Sequence, residues 1–186
     1  YAMARSKAYL YRGVQIRWSC APEIAAAHDD VPEHENFQFP DGILDYLRSV
    51  VAGRHLVAAD IFAGTSKLNG ADSVGRVEWA ICWPLDGDGF TRSYCNTVPT
   101  PEGGSHEAGL RAALTKGLKA YGELTGNRKA TQITADDIVD GAAIMLSLFI
   151  PDPQFQGQTK EKLAMAEAAR VVESQLKDHF DHFLSA

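Results

Sequence analysis

The 186-residue chain is 45% hydrophobic and carries a formal net charge of −6 at pH 7, an ordinary globular composition. At this length roughly 70% of the unfolded surface can be buried, so a core can form without disulfides or structural metals. The acidic balance argues against a protein whose whole surface binds nucleic acid, and no run of about 18 apolar residues predicts a transmembrane helix.

The N-terminal residues and the three cysteines indicate the processing and the cellular compartment that we expect for this chain. Residues 1–7 lack the apolar segment of a secretory leader. Cys20, Cys82 and Cys95 are scattered without a CxxC spacing, which predicts reduced thiols in a cytosolic protein. The apolar stripe of the last predicted helix is still running at Leu184, so we expect a piece of a longer protein.

Short strands and one helix are predicted in the first third of the chain. Alternating residues predict strands over residues 14–20 and 36–39. The stretch between them, residues 21–35, contains two prolines and several acids and is predicted to be irregular. Asp41 is predicted to cap a helix that runs to about Val51.

Buried strands are predicted in the middle of the chain. Apolar residues indicate one strand over residues 56–63, and clean alternation indicates another over residues 77–83. The turn-forming residues 86–89 (DGDG) favour a hairpin, in which residues 90–98 return antiparallel to residues 77–83.

A long amphipathic helix is predicted over residues 105–124, after the break at Gly103 and Gly104. Residues 105–130 carry five basic side chains and two acidic ones, so this segment is basic although the chain as a whole is acidic. Most such charge sets are solvated faces. The apolar stripe expected to face the core is Leu110, Leu114, Leu118 and Tyr121, and the basic residues around the other side are Arg111, Lys116 and Lys119.

The last third is predicted to hold a capped helix, a central strand and a final helix. Residues 134–140 begin with a capping sequence, and residues 142–150 are almost continuously apolar. The final helix is predicted to start near Lys160, so that Gln158 and Lys160 would lie at a helix N-terminus. An ammonium and an amide there, beside free backbone N–H groups, can bind phosphate, although an exposed loop lysine is the more common explanation.

A complete enzyme site is not apparent from the residues alone. His179 and His182 have the i, i+3 spacing of metal ligands but lack a third ligand nearby in the sequence, so no metal is predicted. Asp86 and Asp88 are interpreted as turn formers. His106 at a helix start more often packs or caps than reacts.

Longer strings carry a family resemblance that covers essentially the whole chain. Residues 96–114 (NTVPTPEGGSHEAGLRAAL) and 151–162 (PDPQFQGQTKEK) resemble sequence motifs of bacterial type II topoisomerases, as do residues 5–16 and 41–47. These motifs resemble those of the transducer domain of the ATPase subunit. Their residues are more similar to topoisomerase IV than to gyrase. Ser105, where the family usually has threonine, is a conservative departure.

The resemblance implies an α+β fold with a four-stranded mixed sheet, backed by helices and containing a left-handed βαβ crossover. It implies that residues 1–160 form a transducer domain ending in the lysine loop. Residues 161–186 would then form a helix leading toward a metal-binding domain. An upstream ATP-binding domain would hold ATP and Mg²⁺, so none is expected bound to this piece, which should be inactive alone.

Site residues follow from the same resemblance. Lys160 would be catalytic and would contact the γ-phosphate of ATP with help from Gln158, and Arg111 would face double-stranded DNA, with Lys116 and Lys119 as further candidates. The implied partners are the A subunit of topoisomerase IV in a heterotetramer and a second copy of the same ATPase subunit, in the cytoplasm near the nucleoid. The alternatives are the same domain of gyrase, a related chaperone or mismatch-repair ATPase, and a non-catalytic nucleic-acid-binding module.

Overall fold

The computed structural model describes residues 1–70 and 73–186 and divides into two compact units, Tyr1–Val50 and Val51–Ala186. Among the described residues, no helix combines the length and apolar character that crossing a membrane requires. The predicted division at residue 160 stays a prediction.

The first unit contains a two-stranded antiparallel sheet and three helices. The predicted strands are confirmed as β1 and β2, paired with Gln15 opposite Gln38. The stretch expected to be irregular contains the short helix α2, because a proline at its start is compatible with the first helical turn. The elements are α1 (Ala2–Leu10), β1 (Gln15–Ser19), α2 (Pro22–Ala26), β2 (His34–Gln38) and α3 (Ile43–Val50).

Stacked aromatic rings surround the buried side chain of Tyr9 in this unit. The ring of Tyr9 stacks on Phe39 with centroids 3.6 Å apart and on Tyr46 at 4.6 Å. The carboxylate of Asp41 forms ion pairs with Arg12 and Arg48, and its N–H donates to the carboxylate of Asp45 at 2.9 Å. Its capping of α3 stays a prediction.

The second unit is built on a five-stranded mixed sheet with the order β3-β4-β7-β5-β6. Neighbouring strands are antiparallel except for β5 and β7, which are parallel. Four strands are long, as the resemblance implies, and the fifth has only two residues. The elements are β3 (Phe62–Gly70), β4 (Ser73–Cys82), β5 (Phe90–Cys95), β6 (Val98–Pro99), α4 (Ser105–Leu124), a 3-10 helix (Arg128–Gln132), α5 (Ala135–Val139), β7 (Ala143–Phe149) and α6 (Ala166–Ser185).

Two predictions about strands in this unit are wrong. Residues 56–63 are mostly irregular, and only a bridge between Leu56 and Pro84 precedes β3. Residues 90–98 do not form a hairpin with β4, because β7 lies between β4 and β5 and pairs with both. The parallel pairing of β5 with β7 requires the crossover through α4 that the resemblance implies. Its left-handed sense stays a prediction.

Helices α4 and α6 pack together over one face of the sheet. The apolar alternation of β4 buries Val77, Trp79 and Ile81 in the same cluster as residues of both helices. Gly109 allows a close approach, since a Cβ there would meet the carbonyl oxygen of Ala169 at 2.2 Å. Further members of this core are Leu110, Leu114, Ile144, Leu146, Leu148, Leu163, Val172, Leu176 and Phe180.

Candidate functional site

Residues 150–165 join β7 to α6 and are called the Lys160 loop below. The loop folds back on itself like a hairpin, with an antiparallel bridge between Phe155 and Leu163. The N–H of Gln156 donates to the carbonyl of Lys162 at 2.8 Å and closes the hairpin. The tip is left exposed.

Gln158 and Lys160 both lie in this exposed tip. The prediction that Lys160 stands at a helix N-terminus is wrong, because α6 begins at Ala166. Residues 161–164 are instead drawn into the hairpin pairing, and the backbone of Lys160 is in the left-handed region with φ +60°. No helix dipole therefore stands beside Lys160, and the groups that it and Gln158 offer to a phosphate are their side-chain N–H donors.

The returning arm of the loop is fixed to the first turn of α4 through Leu163. The N–H of Leu163 donates to the carbonyl of Gly103 at 3.1 Å, and its own carbonyl accepts from the N–H of Ser105 at 2.9 Å. Gly104 has φ +137°, and a Cβ at this position would lie 2.3 Å from the carbonyl oxygen of Leu163. The glycine pair is therefore needed for the loop to lie against α4.

The outgoing arm of the loop is held by the side chain of Asn96. Its amide nitrogen donates to the carbonyl of Ile150 at 2.9 Å, and its amide oxygen accepts from the N–H of Ile150 at 3.0 Å. Asn96 has φ +48°, a conformation that asparagine tolerates better than most residues. Sequence reasoning gave Asn96 and Ser105 no structural role and treated Gly104 only as a break before the helix, because no spacing in the sequence shows that residues 96–114 contact the Lys160 loop.

A chain of hydrogen bonds connects the buried His106 to a carboxylate. His106 Nε2 lies 3.0 Å from Thr100 Oγ1, which lies 2.6 Å from Ser93 Oγ, which donates to Glu107 at 2.5 Å. A carboxylate only accepts, so Ser93 donates to it and Thr100 donates to Ser93. It follows that His106 is the donor at Nε2 and that Nδ1 carries no proton.

The charge state of His106 follows from this arrangement. Nδ1 is buried and forms no hydrogen bond with the described residues. Burial lowers the pKa of His106 from 6.5 to about 4, because a second proton would put a charge in an apolar site. His106 is therefore neutral near pH 7 and serves the packing of the α4 N-terminus, which agrees with the structural interpretation of this residue.

The three basic candidates on α4 do not form one patch. Arg111 makes an ion pair with Asp136 of α5 at 2.9 Å, whereas Lys116 pairs with Glu173 of α6. Five residues along a helix correspond to a rotation of about 140°, so these two side chains point to opposite flanks. Lys119 is partly exposed. Tyr121, which was predicted to face the core, is 37% exposed.

Metal-binding chemistry is not assembled in the described part of the chain. Among residues 1–70 and 73–186, no group of three or more His, Cys, Asp or Glu side chains is placed to hold a metal ion. His179 instead packs on Trp79, with ring centroids 5.1 Å apart.

Comparison with known proteins places this geometry in a family. Residues 42–186 match the family model described as DNA gyrase B. The chain is 53% identical to the B subunit of DNA topoisomerase 4 from Bartonella bacilliformis, over 100% of this chain and 26% of the relative. It is 54% identical to the B subunit of DNA topoisomerase 4 from Caulobacter vibrioides, over 100% of this chain and 27% of the relative.

The fold is shared with a solved structure as well. The 43K ATPase domain of Thermus thermophilus gyrase B in complex with an aminocoumarin superposes with a TM-score of 0.79 and 24% identity, over 99% of this chain and 47% of that one. The chain thus spans about a quarter of the length of the two curated relatives, at 26% and 27%. With a family model matched over residues 42–186 and the α+β fold in agreement, the chain belongs to the DNA gyrase B family.

Proposed function

We propose that this chain is the transducer module of the B subunit of an ATP-dependent type II DNA topoisomerase, in which Lys160, assisted by Gln158, contacts the γ-phosphate of ATP. The observation that carries the proposal is the exposed tip of the Lys160 loop, presented by a base that is hydrogen-bonded to α4. The relatives named as B subunits of DNA topoisomerase 4, at 53% and 54% identity, favour topoisomerase IV over gyrase.

The donor set at the tip fits a terminal phosphate. The ammonium of Lys160 supplies three N–H donors and the side-chain amide of Gln158 supplies two, which phosphate oxygens can accept. Both side chains are exposed. ATP, when held by the upstream domain with Mg²⁺, would supply the phosphoanhydride bond whose hydrolysis drives the passage of one DNA duplex through another. Lys160 would contribute a charge-assisted hydrogen bond worth about 1.5–3 kcal/mol.

The same contact would report which nucleotide is bound. While the γ-phosphate is present the loop is tethered, and after its release the loop is free, so that the module can move as a rigid body. The proposed partners are double-stranded DNA, the A subunit of topoisomerase IV and a second copy of the B subunit. Without the upstream domain, we expect this chain to have no ATPase activity.

The test is DNA-stimulated ATP turnover by the B subunit carrying Lys160→Ala, together with the A subunit. Loss of a donor to charge that grows in the transition state is expected to lower kcat by about 10²–10³, with nucleotide binding largely retained. Lys162→Ala is the matched control, since it removes the same charge from an exposed position in the same loop.

Equal turnover in the Lys160 and Lys162 variants would contradict the proposal. Lys160 would then be a solvated loop residue. A salt-dependent affinity for DNA that persists in Lys160→Ala would in that case favour a nucleic-acid-binding module without nucleotide contact.

A further inference from the structure

The two long motifs in the sequence meet in the structure at both ends of the Lys160 loop. The segment from Asn96 to Ser105 contacts Ile150 where the loop leaves β7 and Leu163 where it returns toward α6. The loop that carries Lys160 is thus held at two points by one continuous stretch of chain.

The first attachment point extends the sheet by means of a side chain. The N–H of Asn96 donates to the carbonyl of Leu148 at 2.8 Å, as a parallel strand partner would. The side-chain amide of Asn96 then makes the next two bonds, donating to the carbonyl of Ile150 at 2.9 Å and accepting from its N–H at 3.0 Å. Ile150 is thereby kept in register after β5 itself has ended.

The second attachment point uses the hydroxyl of Ser105. Its Oγ donates to the carbonyl of Leu163 at 3.3 Å and accepts from the N–H of Met165 at 3.1 Å. Leu163 is only 1% exposed and belongs to the core, so this end of the loop is anchored by burial as well as by hydrogen bonds. One hydroxyl thus links the loop base to the residue that precedes α6.

Between these points, few contacts restrain the tip. The N–H of Glu102 donates to the carbonyl of Glu161 at 3.0 Å, next to Lys160. Lys160 itself is held in the left-handed region, a backbone conformation that residues other than glycine adopt rarely. Such a conformation persists only where the surroundings impose it. The surroundings here are the hairpin bond from Gln156 to Lys162, the bond from Glu102 to Glu161, and the two attachment points that hold the ends of the loop.

We propose that Asn96 and Ser105 are positioning residues for Lys160, which fix the two ends of its loop so that the ammonium group stands at the place where the nucleotide presents its terminal phosphate. This inference rests on the proposed function of Lys160. Misplacement of a catalytic group by about 1 Å can cost as much as 10²-fold in rate. Because backbone hydrogen bonds at Leu163 and Leu148 remain, we expect about a 10-fold loss of kcat for each single variant.

The variants separate the side-chain contact from other effects. Asn96→Gly removes the amide but keeps the left-handed backbone accessible, so it does not add strain. Ser105→Ala removes the hydroxyl, whereas Ser105→Thr keeps a hydroxyl at the same position. In the B subunit paired with the A subunit, Asn96→Gly and Ser105→Ala are expected to lower kcat with the KM for ATP little changed, and Ser105→Thr to recover wild-type turnover.

Amide hydrogen exchange on this chain gives a readout that does not depend on activity. Ser105→Ala is expected to speed exchange at Met165, and Asn96→Gly at Ile150, because each loses its hydrogen-bond acceptor. Lys160→Ala is expected to leave both rates unchanged. Unchanged exchange in the first two variants would overturn the proposal, since the loop ends would then be held without these side chains.

Combination with Lys160→Ala distinguishes positioning from a general loss of structure. If Asn96 and Ser105 act through Lys160, then adding either variant to Lys160→Ala lowers turnover no further. A further drop in the double variants would overturn the proposal, as would unchanged kcat in the single variants when Lys160→Ala alone is slow. Unchanged turnover in Lys160→Ala would instead contradict the proposed function, and this inference with it.

Discussion

The side chain of His106 lies buried at one end of a hydrogen-bonded chain that reaches the partly exposed carboxylate of Glu107 through Thr100 and Ser93. The hydroxyl of Ser93 donates to Glu107 and also lies 3.2 Å from the carbonyl oxygen of Thr100, whereas Nδ1 of His106 has no partner among the described residues. A neutral imidazole leaves only the lone pair of Nδ1 unpaired, whereas an imidazolium would bury both a charge and an unpaired N–H. Protonation of His106 would therefore place an unpaired charge next to the N-terminus of α4.

We predict that His106 makes the stability of this chain fall as the pH is lowered from 6.5 to about 4. The pKa is about 4 in the folded state and 6.5 when unfolded, so the unfolded state takes up the proton first. The stability present above pH 6.5 is then lost as the pH falls, by about 3 kcal/mol in all. Urea denaturation between pH 7 and 4 measures this effect.

His106→Gln is the control for this pH dependence, since its amide can still donate to Thr100 but does not titrate. The variant is expected to lack the His106 contribution, so that its stability falls less over the same range. Parallel curves for the two proteins would show that His106 is not the group responsible.

At the scale of elements, the contact of α4 with α6 depends on small residues. A Cβ at Gly109 would meet the carbonyl oxygen of Ala169, and a Cβ at Gly117 would meet the ring of Phe180 at 2.6 Å. Backbone atoms cannot move aside as a flexible side chain can. The glycine at position 109 is therefore a packing requirement, although glycine is a poor helix former.

We predict that Gly109→Ala destabilises the chain by about 1–3 kcal/mol, because overpacking outweighs the gain in helix propensity. Gly141→Ala is the matched control, since a Cβ there would have no atom within 4 Å. It is expected to be neutral or slightly stabilising. Thermal or urea denaturation of both variants checks the difference. A more stable Gly109→Ala variant would show that α4 and α6 are further apart than described.

At the scale of the whole molecule, charge is distributed in a way that disfavours indiscriminate binding to nucleic acid. The net charge is −6, and Arg111 and Lys116 are each paired with an acidic side chain. Exposed ion pairs of this kind contribute only about 0–1 kcal/mol, so a phosphate can displace Asp136 from Arg111 at little cost. Contact with DNA would therefore be confined to a few side chains such as Arg111, and it would require a phosphate to displace the paired carboxylate.

We predict that Arg111→Ala reduces the salt dependence of DNA binding by the B subunit. If Arg111 contacts one phosphate, the slope of log Kobs against log salt concentration becomes shallower by about 0.9. Fluorescence anisotropy with a short duplex at several salt concentrations measures the slope. Lys177→Ala is the control, because this exposed lysine of α6 is paired with Asp181 and has no proposed role. The same slope in both variants would remove Arg111 from the DNA-facing set.

Local signals in the sequence determined several elements correctly. The bounds predicted for α4, residues 105–124, coincide with the helix because Gly103 and Gly104 break the chain before it and leucines recur within it. The capping box of Thr134 and Asp137 starts α5 as predicted. The apolar run at 142–150 became the central strand β7. Secondary-structure propensity, helix capping and hydrophobic periodicity depend on a few neighbouring residues, so they can be identified in the sequence without knowledge of the fold.

Tertiary structure decided which strands pair and what supports the candidate site. The turn chemistry of residues 86–89 favoured a hairpin, but β7 competes for both β4 and β5 and is buried between them. The helix expected at Lys160 starts only at Ala166, because the intervening residues pair with the outgoing arm of the loop.

The sequence by itself singled out Gln158 and Lys160 and the family to which the chain belongs. Only the fold showed that Asn96 and Ser105 hold the loop on which Lys160 lies. The physical reason is that the sequence specifies the identity of a side chain at one position. Its placement depends on hydrogen bonds between residues 54 and 58 positions apart, which no local pattern predicts.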